Sequence, residues 1–392
     1  MVNPVRVLFV HNSVLIGGGN RVLLGFFEKL DRRRYEPWSV LPTTGPMEAE
    51  LKGLEVPCIL QDVLSCVTTG SRISRVAATA SYAWKTSPKR FGILHAQGPL
   101  SYRVPSIVSR FSSARRICHL HFPAGEVQGE LSYAFKVEPH CVIACSKSVA
   151  DSFKPALEAA CPRTPVRVLV NFADTERFSP GAPPEALLKE LGIDGKASVI
   201  TICGQISERK GHPDLLKAAK LVLARVPSAV FLIVGEDILS HGEYERKMKT
   251  MASELGVSAS VKFVGFRSDV ADVLRASDLV VLPSYAEGMP LSLIEASACG
   301  KPIVAYRIPG VDEVVEDGRT GRLIPVGNVD TLARTICEAL EAPELLRAMG
   351  SQGRKMVEEQ FSLTAYAQRL EQIYDETLAP RPTARSHLAM TH

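Results

Sequence analysis

The stretch ASVITICGQISERKG, residues 197–211, starts as an apolar run rich in Val and Ile, meets Gly204, and ends on Arg209, Lys210 and Gly211. A helical pattern from His212 to about Arg225 follows. An apolar run closed by turn residues and followed by a helix predicts one strand of a parallel sheet covered on both faces. Downstream the pattern repeats: VFLIVG, a helix around 243–255, VKFVGF, a short helix, DLVVLPS, a helix from Pro290, and KPIVAY. Upstream, LVNFADTERFSPGAPPEA (169–186) is rich in Pro and turn residues and reads as a linker. Before it, VRVLFV (5–10), GGGNRVLLGFFEKL (17–30), FGILHA (91–96), RRICHLHF (115–122) and HCVIAC (140–145) alternate in the same way. Two successive βαβ domains follow, 1–176 and 177–360. An amphipathic helix at 361–378 is expected to pack back on the first, and 379–392 to fray.

The 392 residues suffice for two cores, and 46% hydrophobic with 22% charged residues excludes disorder and coiled coil as the main theme. The net charge of +4 is unevenly spread. Before Ser179 there are 22 basic and 14 acidic residues, a balance of +8, and from Ser179 onward the balance is −4. The basic half suits an anionic membrane surface or an acidic acceptor, or is a solvated surface. No basic run is interleaved with aromatics, so nucleic acid is not an expected partner. The nine cysteines are scattered and contain no C-x-x-C, which fits a reducing cytoplasm better than a disulfide framework. No apolar stretch reaches the ~18 residues of a bilayer span, so the expected location is cytoplasmic, with peripheral contact at the inner face of the membrane.

In open parallel sheets ligands sit beyond the carboxyl ends of the strands. There Arg209 and Lys210 form a cation pair suited to a diphosphate, although a surface pair in a turn is the plainer reading of these two alone. A second loop, LPSYAEGMPLSLIEASACGKP (282–302), alters the balance with Glu287 and Glu295 eight positions apart. Pro290 suits the first helical position, leaving Glu287 on the loop and Glu295 on the helix. The N–H groups of Gly288, Met289, Leu291 and Ser292 at the helix start attract phosphate, and a carboxylate can accept from a ribose hydroxyl pair. Glu295 sits among Leu293, Ile294, Ala296 and Ala298, a poor surface face.

These residues carry a resemblance. The E-x7-E pattern of Glu287 and Glu295, the G-x4-R-K-G loop at 204–211 and PGVDEVVEDGRTGRLIPVGN (309–328) look like the retaining nucleotide-sugar glycosyltransferases of family four, which have the GT-B fold. GGGNRVLLGFFEKL, FGILHAQGPL, VIACSKSVADSF and LVNFADTERFSP extend the resemblance over most of the chain. It implies two Rossmann-like domains facing across a cleft. Arg209 and Lys210 would bind the donor diphosphate, Glu295 the ribose and Glu287 the hydroxyls of the transferred sugar. Gly17, Gly18 and Gly204 would let backbone approach the ligand, and His121 would lie near the sugar's C6 hydroxyl. The resemblance implies a nucleoside-diphosphate sugar as donor substrate, a glycan, lipid-linked or small-molecule acceptor, and no metal cofactor. Two departures stand out. Asn171-Phe172-Ala173-Asp174 replaces the usual N-G-V-D turn, and Asn20 replaces an acidic residue after the first glycines.

Other readings fit less well. GGGNRV lacks the third glycine of a dinucleotide fingerprint, and no D-x-D is present to carry a metal under a diphosphate. A nucleotide-sugar epimerase or hydrolase of the same fold, or a non-catalytic sugar-nucleotide-binding protein, remains as an alternative. A His119-x-His121 metal pair lacks a third ligand. Finally, 72–91 combines Arg72, Arg75, Lys85, Lys89 and Arg90 with Tyr82 and Trp84, a pattern for a helix lying on anionic lipid or for an ordinary domain helix with a basic outer face.

Overall fold

A computed structural model describes residues 3–63, 71–87, 90–127 and 135–380. The first sheet contains β1 (Val5–Val10), β2 (Tyr35–Leu41), β3 (Cys58–Leu60), β4 (Ile93–Ala96), β5 (Arg115–Leu120), β6 (Cys141–Ala144) and β7 (Val166–Val168). The second contains β8 (Ser198–Cys203), β9 (Ala229–Val234), β10 (Val261–Gly265), β11 (Leu279–Leu282), β12 (Ile303–Tyr306) and β13 (Gly321–Ile324). Their orders are β3-β2-β1-β4-β5-β6-β7 and β10-β9-β8-β11-β12-β13, with every pairing parallel. In both sheets the strand order reverses beside the first strand, the place where doubly wound sheets hold ligands. The fold is GT-B, as the motifs implied.

The central strands lie between helices and are buried throughout their inner lengths, as Val7, Leu8, Phe9 and Val10 of β1 show. The apolar runs marked them for that reason. β2, β3, β7 and β13 have no such run. YEPWSVL contains Pro37, β3 and β7 are only three residues long, and GRLI carries an exposed arginine, so none of them offers the apolar signal.

The last helix, Leu363–Leu378, lies against the first sheet, with Tyr366 and Tyr374 at ring-centroid distances of 6.1 and 6.4 Å from Phe26. Phe172 occupies the seam between that helix and the first one, Gly18–Lys29. Its ring is 4.9 Å from Tyr366, and a Cβ at Gly25 would lie 2.8 Å from Phe172 Cζ. Gly25 thus makes the room that Phe172 needs, and the unusual turn is accommodated by packing. Of the tail expected to fray, 381–392 falls outside the described residues.

Among the described residues no helix is long and apolar enough to cross a membrane. The helix Arg72–Thr86 separates its two aromatics. Tyr82 is buried, not on the outer face as a lipid-facing role requires, whereas Ile73, Val76 and Trp84 are 81%, 69% and 77% exposed. Lys89 lies outside the described residues.

Candidate active site

The loop after β8 and the loop after β11 touch because glycine permits it. Gly211 has φ +69°, and a Cβ there would lie 1.9 Å from the carbonyl oxygen of Pro283. Tyr285 N–H donates to Arg209 O at 2.8 Å, and the hydroxyls of Tyr285 and Tyr306 donate to Asp214 at 2.6 and 2.8 Å. The clamp sets the short 3-10 turn Glu208–Lys210 beside Glu287. Lys210 Nζ donates to Glu287 Oε1 at 2.7 Å, Arg209 Nη1 lies 3.2 Å from Oε2, and Arg209 also donates to Ala286 O at 2.7 Å. Glu287 is only 5% exposed. Burial pushes its carboxyl up, but the charges of Lys210 and Arg209 outweigh burial and hold it below its ordinary value. Lys210 and Glu287, both buried, and the half-buried Arg209 therefore form one ionic triad.

Glu295 stands apart from the triad. It lies in the helix Leu291–Ala298, buried, where desolvation raises its carboxyl to about 7 against the opposing charges of Arg21 and Arg177. Pro290 is not the first helical residue but the cap before it, with ψ 106°, so the helix opens at Leu291. A proline ring fixes φ without obliging ψ to be helical, and the extended ψ here aims the preceding loop across the cleft. Within the described residues, Gly288, Met289, Leu291 and Ser292 donate their N–H groups to no protein acceptor. A helix start with unsatisfied donors beside a cation pair has the charge and the hydrogen-bond donors to take an anion.

The opposite lobe grips the same loop. Ser146 caps the helix Lys147–Ala160 and its Oγ donates to Gly288 O at 2.8 Å. Asn171 Nδ2 donates to Met289 O at 3.0 Å, and Glu313 accepts from Lys147 and Ser148 N–H at 2.7 and 2.8 Å. A Cβ at Gly288 would sit 2.0 Å from His121 O, so only glycine allows this approach. Gly18 meets Leu291 across the gap at 4.0 Å from its would-be Cβ, Gly17 opens onto free space, and Gly204 with φ +149° backs Lys210.

His121 lies beneath the first glycine loop, with its ring 3.4 Å from a would-be Cβ of Gly19 and its Nε2 2.9 Å from Gln97 Oε1. His119 turns inward instead. Its Nδ1 shares a hydrogen bond with His95 Nε2 at 3.3 Å, and His95 in turn with the Tyr374 hydroxyl at 2.7 Å. No group of three or more His, Cys, Asp or Glu suited to a metal occurs among the described residues. Burial, before any other cause, lowers His121 and His11 to about 4 and His95 to about 3, so all are neutral near pH 7.

Several residues of the site lie in stretches that carry the resemblance but were not singled out there: Gln97, Ser146, Asn171 and Glu313, while Asp214 lies in none of them. Gln97 follows β4 directly, and the rule that ligands sit at strand ends points to it. Asp214, Ser146, Asn171 and Glu313 act through partners distant in sequence, so their individual contacts have no local signal.

Residues 185–356 match the family described as Glycosyl transferases group 1. The chain is 33% identical over 184 residues to the putative glycosyltransferase EpsD of Bacillus subtilis, covering 46% of this chain and 47% of the relative. It is 34% identical over 218 residues to a D-inositol 3-phosphate glycosyltransferase of Corynebacterium jeikeium, 54% and 52% of the two. It thus spans about half the length of these curated relatives. Identity falls to 23%, over 95% of this chain and 97% of the relative, for the Escherichia coli UDP-Gal:alpha-D-GlcNAc-diphosphoundecaprenol alpha-1,3-galactosyltransferase. Among solved structures, Anabaena HepE in complex with UDP-glucose has a TM-score of 0.83 at 23% identity, over 95% of this chain and 99% of that one.

Proposed function

We propose that this chain, a GT-B protein carrying a glycosyl transferases group 1 domain over residues 185–356, transfers a hexose-type sugar from a nucleoside-diphosphate sugar to a hydroxyl acceptor with retention at the anomeric carbon. The observation that carries the proposal is the ionic triad, with Lys210 and Glu287 buried, beside unsatisfied helix-start donors. Two cations share one carboxylate, so positive charge is left for a diphosphate. Arg209 and Lys210 hold the pyrophosphate and offset the charge that grows as the nucleoside diphosphate departs, without a divalent ion. Glu287, kept ionised by the same cations, acts as a hydrogen-bond acceptor for sugar hydroxyls rather than as a proton donor. Glu295 accepts from the ribose hydroxyls.

The acceptor hydroxyl attacks from the face the diphosphate leaves. A new C–O bond forms as the anomeric C–O bond to phosphate breaks, and the departing phosphate oxygen takes the hydroxyl proton. No protein nucleophile is needed, which accords with a Glu287 already paired on both oxygens. The names of HepE's ligand and the galactosyltransferase's donor make UDP-hexoses the first donors to test. Incubation with UDP-, GDP- and ADP-hexoses and an acceptor library should release one nucleoside diphosphate and give a product with the donor's anomeric configuration by NMR. An inverted product, or release of no diphosphate, contradicts the proposal.

A second reading concerns the acceptor side. The exposed stripe of Ile73, Val76 and Trp84, with Arg75 and Lys85 on the same helix and a +8 balance in that half of the chain, suits an anionic bilayer carrying a lipid-linked acceptor. Binding to vesicles with phosphatidylglycerol should exceed binding to phosphatidylcholine and fall in Trp84→Ser. Equal binding to both vesicles removes the reading.

A further inference from the structure

Strands β1, β4 and β5 lie side by side, with Val10 opposite Ala96 and Ala96 opposite Cys118. Residues in register share a face, so Phe9 and His11, His95 and Gln97, Ile117, His119 and His121 project from one side of the sheet, the side covered by the first helix. Among the described residues three buried polar atoms on this face have no hydrogen-bond partner: His119 Nε2 within β5 and, at the tip beyond the strand ends, His11 Nε2 and Gln97 Nε2. His11 is 1% exposed.

The protonation of this pair can be assigned. Asn20 Nδ2 donates to Leu15 O at 2.7 Å, so Asn20 Oδ1, 3.2 Å from His11 Nδ1, is the acceptor of that contact. His11 therefore carries its proton on Nδ1 and presents a lone pair at Nε2. Gln97 Oε1 faces His121 Nε2, which leaves the Gln97 amide N–H groups as donors. A neutral acceptor and a neutral donor stand at neighbouring strand ends. The titratable groups around His11 are His95 and His121, also neutral by burial, so nothing here attracts a charge. A hydroxyl, which donates once and accepts once, matches such a pair; phosphate, which only accepts, does not.

We infer that His11 and Gln97 form a hydroxyl-binding subsite in the N-terminal lobe, taking one hydroxyl of the acceptor molecule, with Asn20 as the residue that fixes the His11 tautomer. The inference rests on the transferase reading, and it gives the acceptor a polar contact in the N-terminal lobe, beside His121, whereas Arg209, Lys210, Glu287 and Glu295 all lie in the other lobe. It also gives Asn20 a reason, since a carboxylate at that place would favour the imidazolium and remove the Nε2 lone pair.

The test is NMR of histidine ring nitrogens, assigned with His11→Gln, in the full chain with and without UDP. The probes are n-octyl glucoside, N-acetylglucosamine, myo-inositol and glycerol. His11 should be the Nδ1-protonated tautomer in the resting protein, and at least one polyol should move its Nε2 resonance. In Asn20→Asp that polyol's Kd should weaken about tenfold at pH 6 and recover at higher pH, following each unit by which the imidazole pKa rises, while the unaltered protein stays flat from pH 6 to 8. A proton on Nε2, or a resonance unmoved by every probe, overturns the inference, the second result assigning the pair to a bound water. A shift with polyol but no binding of any nucleoside diphosphate keeps the subsite and breaks the transferase reading instead. A shift produced equally by UDP-glucose alone assigns the hydroxyl to the donor sugar and overturns the acceptor assignment.

Discussion

The strand ends of the two lobes carry different chemistry at similar depth. After β8 and β11 the chain gathers Arg209, Lys210 and Glu287, ionised and mutually paired. At the ends of β1, β4 and β5 it gathers His11, Gln97 and His121 above His119 of β5, all neutral, with burial the largest cause of the imidazoles' lowered pKa. Buried charge is tolerated where partners compensate it, and buried imidazole where it gives up its proton. The first arrangement suits an anion whose charge changes during reaction, the second an uncharged hydroxyl that must be aimed.

The contrast breaks most visibly at Lys210. Lys210→Ala should lower kcat/KM by about 10²–10³, the loss expected of one donor to a developing anion; a fall of less than about fivefold would remove Lys210 from that role. On the neutral side the lever is acid. His11 and His121 titrate near 4 in the fold against 6.5 in the unfolded chain. The unfolded chain binds more protons between those values, so the histidine contribution is intact above about pH 6.5 and is lost as pH falls toward 4, by about 3 kcal/mol for each residue. Urea melts at pH 7 and 4.5 should show the difference, and His11→Gln should reduce it.

The joint between the lobes comes next. Gly288→Ala brings a methyl against His121 O and should cost about 1–3 kcal/mol of overpacking, read as a lower Tm together with a higher donor KM. Smallest is the effect of Glu295, whose carboxyl at about 7 is held up by burial. It is the acid below that pH and the double acceptor above it, so donor affinity should strengthen about tenfold between pH 6 and 8, the value of one charge-assisted hydrogen bond. Glu295→Gln should bind more weakly and show no such slope.

The charged side was legible in the sequence because its parts are local. Arg209-Lys210 and Glu287 to Glu295 each fall within one loop after an apolar strand, and only the cap position of Pro290 was misjudged, by the single residue that separates a fixed φ from a helical ψ. The neutral side was read only at His121. Its partners arrive from three strands and one helix, and the hydrogen bond that fixes His11 depends on Asn20 meeting Leu15 O, which no spacing announces. The core followed the same division. Long apolar runs were seen, but the proline-bearing β2 and the very short β3 form because β1 offers β2 a partner and β2 offers one to β3.

The central claim is that fixed cations hold an activated sugar by its pyrophosphate. Its most direct test is calorimetric titration of the unaltered protein and Lys210→Ala with UDP-, GDP- and ADP-hexoses in buffer containing EDTA. One donor should bind the unaltered protein with the same Kd in EDTA as in magnesium, and bind Lys210→Ala at least tenfold more weakly. Binding that appears only with a divalent ion, or that is unchanged in Lys210→Ala, contradicts the account.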